Sequence, residues 1–188
     1  MIQFDKNRHA YTVDGVPVPS VTTIISMLFP NKYADVPADV LKKAADYGNR
    51  MHEWVEHYAM TGKRKRQTEL MKLSTVQVEK ILQEEDVKVL SCEQIVSEGS
   101  YCGMYDMYGT VNGKTALIDI KTTEKMDTEY LEWQLGMYAV TFDEMPEKCY
   151  CLWIPKGEVA RLIEIKPKTK EEIEWLVFRY EQEHTAGQ

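Results

Sequence analysis

Residues 103–123 read GMYDMYGTVNGKTALIDIKTT, and this stretch decides the fold. Asn112-Gly113 at its centre accepts positive φ at both middle positions of a type I′ turn, the connection whose twist suits two antiparallel strands. Val111 then pairs with Lys114, and counting outward along the ladder sets Asp106 opposite Asp119. Opposed residues share a face, with Cβ atoms about 4.5–5.5 Å apart, so two carboxylates are expected to meet. Lys121 lies two residues past Asp119, and the period of a strand returns it to that same face, while Ile118 and Ile120 point to the other as core residues.

Like charges directly across a ladder are destabilising, so two aspartates placed there call for a compensating cation. A hard divalent ion answers, because Mg²⁺ is held by one or two carboxylates together with waters and substrate phosphates. Lysine, a compact point charge, suits a phosphate or an attacking nucleophile.

Two helices carry further candidates. Residues 39–60 read as a helix with Leu41, Ala44, Ala45, Met51, Val55 and Tyr58 on its apolar side. Gly48 and His52 are one turn apart on one face, and a mid-helix glycine costs about 1 kcal/mol against alanine, a cost that a close packing partner such as backbone or DNA would explain. His52 and His57 are five apart, which does not fit the H-E-x-x-H zinc protease motif. Residues 127–142 read as a second helix with Leu131, Leu135, Tyr138 and Ala139 as its stripe, on which Gln134 and Tyr138 are again one turn apart.

Asp106, Asp119-Ile120-Lys121 and Gln134-x-x-x-Tyr138, preceded by His9-x-Tyr11, Val18-Pro19-Ser20-Val21-Thr22 and Gly48-x-x-x-His52, resemble the motifs of the PD-(D/E)xK nuclease superfamily, in its RecB-type and phage-exonuclease branch. The resemblance implies an α/β fold, a restriction-endonuclease-like core with a central mixed β-sheet flanked by helices. It implies one or two Mg²⁺ or Mn²⁺ ions held by Asp106, Asp119, the Ile120 carbonyl and His52, with Lys121 positioning the attacking water or stabilising developing charge. Gln134 and Tyr138 would orient the site and touch the substrate strand, although Tyr138 also reads as a core residue. Glu93 resembles the acidic position before the hairpin and would be a second-metal or outer carboxylate; a solvent charge on an edge strand is the other reading. The implied activity is hydrolysis of DNA, as an exonuclease on ends or single strands in recombination, repair or phage DNA metabolism. A structure-selective endonuclease and a non-catalytic nucleic-acid-binding module on the same fold are the alternatives.

Composition bounds this. The 188 residues suit a single domain, and 44% hydrophobic with 28% charged residues is ordinary for a globular chain. The net charge of −7 argues against a polyanionic partner, an objection that weakens once carboxylates are committed to a metal. Lys63-Arg64-Lys65-Arg66 is the dense basic run, either a solvated loop or a set of phosphate-binding groups. No apolar run approaches the roughly 20 residues of a membrane span, and the first residues lack the pattern of a signal peptide, so a cytoplasmic protein (host cytoplasm if phage-encoded) is expected, with a homo-oligomer or a recombination protein as conceivable partners. Some RecB-type nucleases carry an iron-sulfur cluster on one upstream cysteine and a closely spaced C-terminal trio. Cys92, Cys102, Cys149 and Cys151 do not match that spacing, so free thiols and no cluster are expected.

The remaining elements complete the expected order. Residues 2–4 and 10–13 form a hairpin before a turn at Asp14-Gly15, and Ser20 caps a helix over 21–28 that ends near Pro30. A helix follows over 68–85 and a strand over 87–96. After the central hairpin come strands over 149–154 and 159–166, and a last helix over 169–184.

Overall fold

In the computed structural model, which describes residues 1–5, 8, 10–29 and 36–185, three short antiparallel strands come first: β1 (Ile2–Asp5), β2 (Ala10–Val13) and β3 (Val16–Val18). The third was not expected, since three residues are too few to show a period. The Ser20 hydroxyl caps α1 (Val21–Ile25) by accepting the Thr23 N–H at 3.0 Å, but this helix stops three residues short of the expected end. His9 and Pro30 lie outside the described residues. The long helix α2 (Ala38–Thr61) ends on Gly62, whose φ of 67° gives a left-handed cap. A 3₁₀ turn over Glu69–Met71 and α3 (Lys72–Glu84) stand where one helix was expected. Then follow β4 (Lys88–Ser97), β5 (Cys102–Val111), β6 (Lys114–Lys121), α4 (Thr128–Ala139), β7 (Lys148–Trp153), β8 (Arg161–Ile165) and α5 (Lys170–Thr185).

The five later strands form one sheet in chain order, β4-β5-β6-β7-β8. All neighbours are antiparallel except β6 and β7, which are parallel because α4 carries the chain back across one face. The molecule is therefore α/β with a mixed sheet. Its two faces bury different cores: Leu117, Cys149 and Cys151 pack with Ile24, Leu131 and Ile173 of α1, α4 and α5, while Ile118, Ile120 and Leu152 pack with Met51, Trp54 and Val78 of α2 and α3. Cover on both sides explains the nearly unbroken apolar run of β6. Among the described residues, no helix is long and apolar enough to cross a membrane.

The central hairpin turns at Asn112 (φ 49°) and Gly113 (φ 79°) and pairs in the expected register from Val111↔Lys114 to Met107↔Ile118. There the ladder ends, one pair before Asp106 and Asp119. Tyr105 belongs to the α4-side core and Met107 to the α2-side core, so β5 changes face across Asp106. Its neighbour β4 does the same between Cys92 and Val96, around Glu93 with φ 48°. Left-handed backbone at a non-glycine costs on the order of 1 kcal/mol, and such irregularities typically re-aim a side chain beside a site. The expected cross-strand Asp106–Asp119 pair is corrected accordingly: Asp106 Oδ2 instead accepts the Ile120 N–H at 2.7 Å, where the two strands part.

Candidate functional site

Two groups of side chains meet where β5 and β6 part. From α2 come His52 and Glu56, one turn apart on one face, and with Asp106 each offers a ligand atom within 4.8 Å of the others. His52 Nδ1 is 3.6 Å from Asp106 Oδ2, an ion-pair distance rather than a hydrogen bond. Gly48, one turn earlier, lets the helix come this close, since a Cβ there would lie 3.1 Å from Thr122 Oγ1 just past β6. The close partner expected of that glycine is thus a side chain.

From β6 and α4 comes the second group. Asp119 is 3% exposed. Its Oδ1 accepts from Lys121 Nζ at 2.8 Å. The same Nζ lies 2.7 Å from Oδ2, but out of hydrogen-bonding alignment, and Oδ2 is buried with no hydrogen-bond partner. Lys121 Nζ also donates to Gln134 Oε1 at 3.2 Å, and Gln134 Nε2 donates to the Tyr138 hydroxyl at 3.2 Å.

Burial pushes the Asp119 carboxyl up to about 6, with Asp106 adding to the rise and Lys121 opposing it. Glu56 is pushed up to about 8 by burial and then by Glu93 and Asp106, and its Oε1 is buried without a partner. Burial would also raise Asp106, but His52, Lys121 and the Ile120 N–H outweigh it and hold this carboxyl below its ordinary value. His52 is raised because Asp106 and Asp119 overcome the burial that disfavours its cation. Lys121 reaches about 12 by the same balance, with Asp119 prevailing over burial.

These shifts predict a pH dependence of stability. Asp119, Glu56 and His52 hold protons in the folded chain at pH values where the unfolded chain has released them, so their contribution is present at low pH and lost as pH rises through the folded values. Asp106 acts in the opposite sense, but below about pH 4. In EDTA, the melting temperature should therefore fall between about pH 4 and pH 8, and Mn²⁺ should restore it by replacing the protons. Glu56→Gln should flatten the fall, and a flat or rising wild-type curve would refute the arrangement.

Of the residues expected at the site, His52, Asp106, Asp119, Ile120, Lys121 and Gln134 are brought together. Glu93 is exposed and lies near enough to raise Glu56, but the converging ligand atoms are those of His52, Glu56 and Asp106. Tyr138 is 4% exposed, and its ring occupies the space over Gly103, where a Cβ would come 2.5 Å from Cε1. It thus reaches the site through Gln134 and not as a surface for a strand. Sequence reasoning missed Glu56, although its spacing of four from His52 was the available signal.

The basic loop is partly neutralised within the chain. Arg64 makes a two-pronged bond to Glu79, 2.6 Å at each prong, and Lys65 pairs with Glu53. Lys63 and Arg66 have no carboxylate partner among the described residues, and Lys65 and Arg66 line a pocket with Arg50 and Trp54. The four cysteines are free. Cys92 packs on the α2 side of the sheet and Cys149 and Cys151 on the other, and burial pushes all three thiols up to about 12.

No family model matches this chain, and no curated protein matches it. Among solved structures, one described as "Crystal structure of SSO0001" is similar at 18% identity, covering 85% of this chain and 72% of that one with a TM-score of 0.47, a likeness too distant to bear on function.

Proposed function

We propose that this protein is a divalent-metal-dependent nuclease that hydrolyses DNA phosphodiester bonds on a restriction-endonuclease-like core, as the resemblance of its motifs implies. The observation that carries the reading is the convergence of His52, Glu56 and Asp106, whose ligand atoms lie within 4.8 Å of one another, together with the buried Asp119 carboxylate, which shares its neighbourhood with Asp106, His52 and Lys121. Lys121 Nζ already neutralises that carboxylate, but Glu56 Oε1 is buried with no hydrogen-bond partner, which is costly, and a cation shared with Asp106 and His52 removes the cost. The donors are carboxylates and one imidazole, without thiolates, which suits Mg²⁺ or Mn²⁺.

Asp106, Asp119, His52 and the Ile120 carbonyl would hold the ion, with Glu56 as a further ligand. Bound there, it supplies Lewis-acid polarisation of a phosphate and activates a water. The chain's own residues do the rest. Lys121, held between Asp119 and Gln134, presents a fixed positive charge to the charge that develops on the phosphoryl group. Tyr138 fixes Gln134, and the Ile120 N–H fixes Asp106. A binding module without chemistry has no need of a lysine locked to a buried acid.

Exonuclease action on DNA ends in the cytoplasm is the first choice, with a structure-selective endonuclease second. Digestion of linear, circular, 5′-labelled and 3′-labelled DNA with Mg²⁺ or Mn²⁺ tests it. Linear DNA should be degraded, circular DNA spared and EDTA should stop the reaction. Binding of DNA and Mn²⁺ without any cutting would leave the binding module.

The basic loop makes a separate prediction. Cationic side chains on the DNA backbone release counterions, so replacing Lys63 and Arg66 with Gln should reduce the slope of log K against log salt by about 0.7–0.9 for each phosphate that is no longer neutralised. Arg64→Gln should leave the slope alone, because Glu79 already holds that guanidinium. An unchanged slope in the double variant returns the loop to solvent.

A further inference from the structure

Lys121 holds Asp119, and Gln134 accepts from Lys121. Both also line the end of a groove of about 950 Å³ that runs between α1 and the first turns of α4. Its apolar members, Phe29, Met126, Tyr130 and Leu131, are buried or half-buried and pack in or against the α4-side core, whereas Thr22, Ser26 and Thr128 are exposed. Phe29 and Tyr130 meet edge to face with centroids 5.6 Å apart.

The groove is not built for phosphate. Lys125 is offset by Glu124 and Asp127, and the Asp127 carboxylate already caps the N-terminus of α4 by accepting the Tyr130 N–H at 3.2 Å. A flat, apolar group with polar edges fits an aromatic floor and exposed hydroxyls. Resting on the nuclease reading, in which a phosphate sits at Lys121, the group next along the strand must enter this groove. We propose that the groove is a nucleobase subsite, in which the base adjoining the scissile phosphate lies against Tyr130 and Phe29. A base that is paired and stacked in a duplex cannot enter, so the strand is unpaired at the point of cutting. Recognition through ring faces is tolerant of sequence, because every base has one.

The test uses an oligothymidylate with phosphorothioate linkages and a single 2-aminopurine moved along it, titrated in Ca²⁺ with the full-length protein. Stacking should quench the fluorescence at one position. Tyr130→Ala should abolish that quench and weaken binding by about 10- to 100-fold, whereas Tyr130→Phe should keep both. If Tyr130→Ala does not fold, an oligonucleotide with an abasic residue at the quenched position decides with the wild-type protein, and should bind more weakly by the same factor. No quench at any position, or equal binding of the abasic strand, overturns the subsite. The two readings fail separately: quenching without cutting of ordinary DNA in Mn²⁺ keeps the subsite and sinks the nuclease, and cutting without quenching does the reverse.

Discussion

Asp119→Asn should cost the protein both its divalent ion and its cleavage activity while leaving the fold intact. The substitution is nearly isosteric and keeps an oxygen to accept from Lys121, so the bond made at Oδ1 survives. What it removes is the negative charge of a group that is 3% exposed and already pushed up to about 6 by its burial. A hard cation depends on that charge. Calorimetry should show Mn²⁺ affinity lowered at least about tenfold, the lower end of what disturbing even an outer partner of a metal site costs, and digestion should fall below detection. In EDTA the variant should lose the part of the pH dependence of melting that Asp119 contributes, since the amide takes up no proton. A variant that binds Mn²⁺ as tightly as the wild type and still cuts DNA would remove Asp119 from the site.

The aspartates also show where sequence reasoning stopped. Asn112-Gly113 fixed the hairpin register, because a two-residue turn admits few alternatives, and the ladder follows it as far as Met107↔Ile118. The next step failed because period-two reasoning assumes regular backbone. Both faces of this sheet are buried, so Tyr105 and Met107 are apolar whichever way each points, and the pattern gives no sign that the strand changes face at Asp106. The left-handed φ of Glu93 on the neighbouring strand is equally silent, since glutamate is not a residue that announces such a conformation. Glu56 was legible from its helical spacing to His52. The fate of the basic loop was not, because Glu79 and Glu53 meet Arg64 and Lys65 only once α2 and α3 have packed. The groove is the extreme case, with Phe29 and Tyr130 a hundred residues apart in the chain and touching in the fold.

Lys121→Ala should separate chemistry from metal binding. Removing a cation from beside the carboxylates relieves its repulsion toward an incoming divalent ion, so Mn²⁺ should bind as tightly as in the wild type or more so. Cleavage should nonetheless fall by about 10²- to 10³-fold, the usual cost of deleting one group that acts on charge developing in the transition state. The structure adds a second readout. Lys121 is the partner of Asp119 Oδ1 and the group that lowers its carboxyl against burial, so without it Asp119 is a buried acid with no compensation and rises further. In EDTA the variant should therefore lose more stability than the wild type as pH rises, and Mn²⁺ should raise its melting temperature by more than it raises that of the wild type. Wild-type cutting by Lys121→Ala would break the site assignment. Abolished cutting with an unchanged response to Mn²⁺ would instead keep Lys121 in the chemistry and take Asp119 out of its grip.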